Sequence, residues 1–102
     1  MTTTPITVIL DETRASTETQ FFSMSPAEVE YRNENFVKTG KVLFTKMDLS
    51  DDKLTRKLII IFLNEEKFLE YRNDPVISDY RMRKQEYNEA NGINPDLVFD
   101  ID

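Results

Sequence analysis

The tetrapeptide Glu-Tyr-Arg-Asn stands at residues 30–33 and recurs forty residues later. Each copy places a tyrosine hydroxyl beside a guanidinium group. Both groups bind anions, since the hydroxyl donates one hydrogen bond and arginine can donate two in parallel. If both copies faced one cleft, they would bind an anionic ligand together. The candidate ligand-binding residues are therefore Tyr31, Arg32, Tyr71 and Arg72.

Few other side chains in this sequence are of the types that act in catalysis or bind metal ions. The chain contains no His and no Cys, which removes the usual general base at neutral pH, thiol nucleophiles, and the ligands that bind haem and most zinc ions. The acidic pairs Asp51-Asp52 and Glu65-Glu66 are adjacent in sequence, as is typical of turns and helix starts. We therefore predict no catalytic residue, no metal site and no cofactor.

Length and charge restrict the class of protein. A chain of 102 residues is long enough for one core, so we predict a single domain over residues 1–102. The net charge of −6 disfavours non-specific binding to nucleic acid. No apolar run approaches the roughly 18 residues that a membrane span needs, and the N-terminus lacks the features of a signal peptide. We expect a small, soluble, acidic, cytoplasmic protein without nucleic-acid or membrane partners.

The N-terminal part of the chain predicts a strand whose extent stays open. Ile6, Val8 and Leu10 recur with the period of two that a strand requires. The polar, Thr-rich stretch that follows suits an extended chain. Residues 1–20 could therefore form one long bent strand or a hairpin that turns near residues 14–16.

Two capping signals predict where the helices begin. Ser25-Pro26 with Glu28 forms a capping box with proline in the first turn, and this helix is predicted to end near Thr39. A second helix follows the cap Asn64, and the Asp74-Pro75 dipeptide breaks it because proline excludes the helical conformation at the residue before it. Its continuation is predicted to end near Asn91.

The predicted order of elements is β-α-β-β-α-β, which is the ferredoxin-like arrangement: an α+β fold with an antiparallel sheet and helices on one face. The second helix is the one divided at Asp74-Pro75. In such a fold the two Glu-Tyr-Arg-Asn copies fill the same structural position in two similar halves. A structural role for the repeat is then the simplest interpretation, with Tyr packed on the sheet and Arg facing solvent.

One stretch of the chain resembles a known superfamily. Residues 68–76, FLEYRNDPV, followed by Tyr80, Arg83 and Tyr87, are similar to the second-helix region of dimeric α+β barrels, which include antibiotic-biosynthesis monooxygenase-like and stress-responsive barrel domains. The resemblance covers residues 21–101 in element order. It implies a ferredoxin-like protomer whose sheet packs on a second copy. Members include cofactor-free oxygenases, haem-handling proteins and proteins without known activity. No catalytic residue carries over, because catalytic members use His, Trp or Asn and this chain has neither His nor Trp.

The strand sequence LIIIFL at residues 58–63 is apolar on both faces. In a two-layer fold the helices cover only one face of the sheet. If the second face were exposed to solvent, its residues would be mostly polar. An apolar second face usually marks an interface. We therefore predict a homodimer through the sheet face opposite the helices, with the interface residues Val42, Phe44, Ile59 and Ile61. Which of the two alternating sets of residues lies on that face stays open at this point.

Three functions follow from these observations. The main prediction is a non-catalytic homodimeric protein that binds a protein or a small ligand, because reactive residues are absent. The alternative is a cofactor-independent small-molecule enzyme of the monooxygenase-like barrel type. A second alternative is an acidic, virus-type inhibitor that mimics nucleic acid, although acids and bases are interleaved along most of the chain.

Overall fold

The computed structural model describes the backbone of residues 4–101 and the side chains of residues 4–97. Within this range the chain forms a four-stranded sheet and three α-helices. The strands are β1 (Ile6–Thr13), β2 (Val42–Leu49), β3 (Thr55–Phe62) and β4 (Asn94–Ile101), and the helices are α1 (Pro26–Arg32), α2 (Glu65–Asn73) and α3 (Pro75–Asn91).

The sheet has the strand order β2-β3-β1-β4, and each neighbouring pair is antiparallel. This confirms the predicted ferredoxin-like α+β fold, with the second helical region divided at Asp74-Pro75. Strand β4 lies at one edge of the sheet. Asp74 both ends α2 and begins α3, because its Oδ1 accepts hydrogen bonds from the amides of Val76 and Ile77, at 2.9 and 3.1 Å.

The first helix starts as predicted and ends earlier. The capping box is complete: the Ser25 hydroxyl accepts from the Glu28 amide at 3.2 Å, and the Glu28 carboxylate accepts from the Ser25 amide at 2.9 Å. The α-helix ends at Arg32 rather than near Thr39, and the chain continues as a π-helical turn over Asn33–Val37. This wider turn carries Phe36 into the core.

Aromatic rings dominate the core between sheet and helices. The edge of the Phe36 ring meets Tyr71 with the ring centres 5.0 Å apart, and Phe62 contacts both Tyr71 and Phe68 at 5.1 and 5.2 Å. Ile77 of α3 completes this buried cluster. Edge-to-face pairs of this kind stabilise a core beyond the area that they bury.

A β-bulge in β2 separates two of its residues that the sequence predicts to share one face of the sheet. Val42 pairs with Phe62, whereas Phe44 pairs with Ile61, so the register shifts by one residue between them. A bulge inserts an extra residue and reverses the alternation after it. Val42 and Phe44 therefore lie on opposite faces, not on one face as predicted. Val42 is only 2% exposed and belongs to the core, so its assignment to an interface is wrong.

The two faces of the sheet differ in what covers them. The face carrying Val8, Ile60 and Phe62 packs against the core cluster under the helices. Alternate residues point the other way. We call that side the open face and define it by four apolar residues: Ile9, Phe44, Ile59 and Ile61. Phe44 is 48% exposed there.

Residues 14–25 connect β1 to α1 as a loop rather than as a longer strand or the second arm of a hairpin. Phe22 of this loop packs on the rings of Tyr80 and Tyr87, with centres 5.7 and 5.3 Å away. The loop thus lies against α3. In residues 4–101, no helix combines the length and the apolar character needed to cross a membrane.

Candidate functional site

A buried ion pair joins the two central strands at the end of the sheet nearest this loop. Glu12 of β1 is 1% exposed, and its carboxylate accepts hydrogen bonds from Nε and Nη2 of Arg56 on β3, at 3.0 and 2.6 Å. Arg56 also donates to the Ser23 hydroxyl at 2.8 Å and to the Phe22 carbonyl at 2.7 Å. Two strands and the loop are thereby held around one guanidinium group, whose charge Glu12 balances.

Helix α3 adds a second cation and an amide to this ion pair. Lys84 Nζ lies 3.5 Å from the second carboxylate oxygen of Glu12, and Asn88 donates to the same oxygen at 3.4 Å. Burial lowers the pKa of Lys84, and the neighbouring Glu12 carboxylate partly offsets that decrease. Burial also raises the pKa of Tyr80, which lies one turn before Lys84, to about 12. We call Glu12, Arg56, Lys84 and Asn88 the buried charge network.

A cavity of about 250 Å³ opens beside the buried charge network. Its walls are mostly apolar. It is lined by Arg14, Phe21, Met47, Asp48, Leu49 and Arg56. A pocket with apolar walls and a few convergent polar groups is the usual form of a small-molecule site.

The ring of Phe21 contacts two guanidinium groups at this cavity. The central carbon of Arg14 is 4.4 Å from the ring centre, and that of Arg56 is 4.8 Å away. Arg14 donates three hydrogen bonds to backbone carbonyls, those of Lys53 and Thr19. Arginine has five donors, so Arg14 keeps two. Its charge has no carboxylate within ion-pair distance among residues 4–97.

The candidate residues from the repeated tetrapeptide lie elsewhere, among the helices. Tyr71 is buried in the core, so its ring packs on the sheet as the structural interpretation expects. The Tyr31 hydroxyl instead donates to Asp74 Oδ2 at 2.7 Å. The hydroxyl of Tyr71 interacts with Arg32, while Arg72 is exposed. The structure therefore brings Arg32 and Tyr71 together, and this group does not line the cavity.

Sequence reasoning missed the buried charge network, although a signal for it exists. In β1 the inward-facing positions run Ile6, Val8, Leu10 and then Glu12. A charged residue in phase with buried apolar positions is rare unless it is paired. Arg56 lies on the same face of β3 as the buried Phe62. A buried acid on one strand and a buried base on the next therefore predict an ion pair between them. Within the described side chains, no group of three acidic residues is placed to hold a metal ion.

The sequence matches no protein-family profile and no curated protein. Solved structures, in contrast, match over nearly the whole chain. A conserved protein of unknown function from Bacteroides thetaiotaomicron, named as a possible oxidoreductase, has a TM-score of 0.71 at 10% identity, covering 99% of this chain and 100% of its own. SnoaB, a cofactor-independent oxygenase from Streptomyces nogalater, has a TM-score of 0.61 at 13% identity, covering 95% and 91%.

A protein from Nitrosomonas europaea whose name places it with the antibiotic biosynthesis monooxygenases has a TM-score of 0.65 at 10% identity, covering 100% of this chain and 93% of its own. The resemblance found in the sequence is thus confirmed at the level of the fold. Identities this low show a shared fold and no more.

These neighbours also correct the main functional prediction. The expected non-catalytic binding protein finds no support among them, because those named with an activity are oxygenases, monooxygenases or a possible oxidoreductase. The absence of His and Cys removes the usual reactive side chains, but an enzyme can also act by binding and charge stabilisation alone. The enzyme interpretation agrees better with these findings.

Proposed function

We propose that this chain is a cofactor-independent oxygenase for a small, flat molecule with an acidic hydroxyl or enol group. The observation that carries the proposal is the apolar cavity with the Arg14 charge at its wall. Phe21, Met47 and Leu49 offer contacts for a ring system. The similarity in fold to a protein named as a cofactor-independent oxygenase supports the same reaction class.

The chemistry needs an electron-rich substrate rather than a reactive side chain. The two remaining donors of Arg14 stabilise the substrate as its anion, because a charge-assisted hydrogen bond favours the ionised form. The Asp48 side chain points to the open face, where it pairs with Lys46, so solvent at the mouth of the cavity accepts the proton. The substrate anion then reduces dioxygen, a new C–O bond forms at a carbon that carries a hydrogen atom, and the peroxide anion takes a proton back from solvent to give a hydroperoxide. Loss of water from it leaves a carbonyl group, with one oxygen atom in the product and one in water.

Arg56 has a different role in this proposal. Glu12 balances its charge, and four hydrogen bonds fix its position. It therefore supports Phe21 and the cavity wall rather than contributing net positive charge. Arg14 is the group expected to act on the substrate.

Blocking the cavity tests the proposal. Met47 and Met82 are each 62% exposed, but only Met47 lines the cavity. Tetralone and naphthol serve as probes, with oxygen consumption and product mass as readouts. We expect Met47→Trp to lower kcat/KM about tenfold or more by filling the space, while Met82→Trp leaves it unchanged. Equal activity in both variants would show that turnover occurs elsewhere.

A second pair of variants separates charge from structure at Arg14. Arg14→Lys keeps the positive charge, and Arg14→Gln removes it while keeping a side chain that can hydrogen bond. We expect the Gln variant to lose kcat with a smaller change in KM, since the anion gains most from Arg14 after the proton has left. Retained kcat in the Gln variant would contradict a role for this charge.

We further propose that the protein is a homodimer through the open face. Phe44, Ile59 and Ile61 form an apolar surface there, and each large side chain removed from water contributes roughly 1.5–3 kcal/mol. Two-fold symmetry doubles that contribution. Ile59→Asp should give a folded monomer, whereas Ile60→Asp, on the helix-covered face, should unfold the chain. Light scattering after gel filtration measures both, and a monomeric wild type at micromolar concentration would refute the dimer.

A further inference from the structure

Two methionines of the chain are equally exposed and differ in their surroundings. Met47 of β2 and Met82 of α3 are each 62% exposed. Met47 lines the cavity, whereas Met82 is not among the residues that line it. The oxidation of a thioether follows the access of the oxidant to its sulfur. The two residues therefore form a matched pair, in which the cavity is the difference.

The strand register determines the side of the sheet on which Met47 lies. After the bulge in β2, Met47 pairs with Leu58 of β3. Leu58 alternates in phase with Ile60 and Phe62, so Met47 lies on the helix-covered face of the sheet. Met47 is nevertheless mostly exposed, because the covering layer ends short of it. Its thioether is thus accessible from within the cavity.

The cavity favours an apolar oxidant over a polar one. Phe21, Met47 and Leu49 supply its apolar walls, and its volume is about 250 Å³. An apolar cavity of about 150 Å³ already holds benzene, so an organic hydroperoxide with one or two rings fits here. Hydrogen peroxide gains nothing from such walls, because it has no apolar surface to remove from water.

Arg14 provides the electrostatic help that the oxidation of a thioether needs. When the sulfur attacks the outer oxygen of a hydroperoxide, negative charge develops on the inner oxygen. Arg14 lines the same cavity and keeps two hydrogen-bond donors beyond its three bonds to backbone carbonyls. Charged donors that are already in place stabilise such a developing charge. The exposed Met82 lies outside this cavity and lacks that help.

We propose that Met47 is a modification site, where an organic hydroperoxide bound in the cavity converts the thioether to a sulfoxide. The S–O bond forms as the O–O bond breaks, and the hydroperoxide's own proton passes to the leaving alkoxide, which departs as an alcohol. Sulfur loses two electrons and the peroxide gains them. The source of the oxidant rests on the proposed function, since that reaction forms a hydroperoxide in this cavity. A sulfoxide is polar, so its presence in the apolar wall weakens substrate binding and limits the activity.

Cumene hydroperoxide and hydrogen peroxide are the probes, each added to the full chain without substrate. Peptide mass spectrometry measures the rate of sulfoxide formation at Met47 and Met82 in the same sample. We expect cumene hydroperoxide to oxidise Met47 about tenfold faster than Met82, because binding holds it beside the sulfur. Hydrogen peroxide should oxidise both within about twofold, and tetralone should slow oxidation by cumene hydroperoxide at Met47 alone. Equal rates at the two residues with cumene hydroperoxide, or no protection by tetralone, would overturn the proposal.

Met47→Leu separates oxidation at this residue from general damage, because Leu is close to Met in volume and forms no sulfoxide. After treatment with cumene hydroperoxide, the wild type should bind tetralone about fivefold more weakly, while the variant should keep the affinity it had before treatment. An equal loss in both proteins would contradict the proposal.

The two proposals for this cavity fail in different ways. Oxygen consumption without sulfoxide at Met47 during turnover would refute the modification and leave the oxygenase activity standing. Selective oxidation of Met47 by added cumene hydroperoxide, in a protein that consumes no oxygen with any substrate, would support the modification site and refute the oxygenase.

Discussion

The same tetrapeptide ends α1 and α2, and its two tyrosines have different surroundings. Tyr71 is buried between Phe36 and Phe62, with the ring edges in contact. Tyr31 is half-buried, and its hydroxyl reaches across to Asp74. One copy therefore contributes mainly apolar contact area, and the other contributes mainly a hydrogen bond between helices.

The difference follows from the length of chain before each helix. Only two residues separate the end of β3 from α2, so Tyr71 lies directly above Phe62 of the sheet. A loop of twelve residues, 14–25, separates β1 from α1, and it places Phe22 against α3 rather than under Tyr31. Identical residues thus acquire different roles because the connections hold their helices at different places on the sheet.

The largest expected effect is the loss of the buried tyrosine. Tyr71→Ala removes a ring from a packed aromatic cluster and leaves a cavity, which should lower the free energy of unfolding by about 3–5 kcal/mol. Tyr31→Ala should cost clearly less, since much of that side chain already contacts solvent. Urea unfolding followed by circular dichroism measures both. Equal losses would mean that the two copies are equivalent after all.

The fold could be predicted from sequence because its signals are local. The capping box at Ser25 and the break at Asp74-Pro75 each determine one helix boundary, and the apolar run at residues 58–63 predicts β3. The bulge after Val42 could not be predicted, because it depends on the pairing of β2 with β3. The end of α1 at Arg32 was missed for a similar reason, since burial of Phe36 determines it.

The candidate site was harder to predict than the fold. Its residues come from distant parts of the chain: Arg14 and Phe21 from the loop, and Met47 and Arg56 from two strands. No short motif links them. The phases of Glu12 in β1 and of Arg56 in β3 are the local signs that a polar cluster lies inside. Motifs built on His and Cys describe reactive groups and not paired charges, so they do not detect such a cluster.

A smaller effect is expected at the first residues of the two helices. Ser25→Ala removes one half of the capping box before the first tetrapeptide, and Asn64→Ala removes the side chain that accepts from the Lys67 amide before the second. Each should lower the free energy of unfolding by about 1 kcal/mol. The two losses should be similar, because the backbone amide at position 25 still donates to the Glu28 carboxylate in the Ser25 variant. Chemical denaturation is the measurement, and an unchanged midpoint in either variant would contradict the cap.

The smallest effect, and the most specific, concerns the titration of the two tyrosines. Both pKa values are raised above 10.0, for different reasons: burial raises that of Tyr71, and the hydrogen bond to Asp74 raises that of Tyr31. A raised pKa means that the folded chain holds the phenol proton more tightly than the unfolded chain does. The stability from both groups is therefore fully present below pH 10.0 and is lost as the pH rises towards the folded pKa values.

Asp74→Asn separates the two causes. Asn caps a helix about as well as Asp does, so α3 should keep its start, while the negative charge beside Tyr31 is lost. We expect the pKa of Tyr31 to fall back towards 10.0 and that of Tyr71 to stay raised, because burial and not Asp74 is the main cause of the raised pKa of Tyr71. NMR of ring-labelled tyrosine follows each residue separately. If both pKa values fell equally, the two copies would share one electrostatic environment, and burial would not be what distinguishes Tyr71.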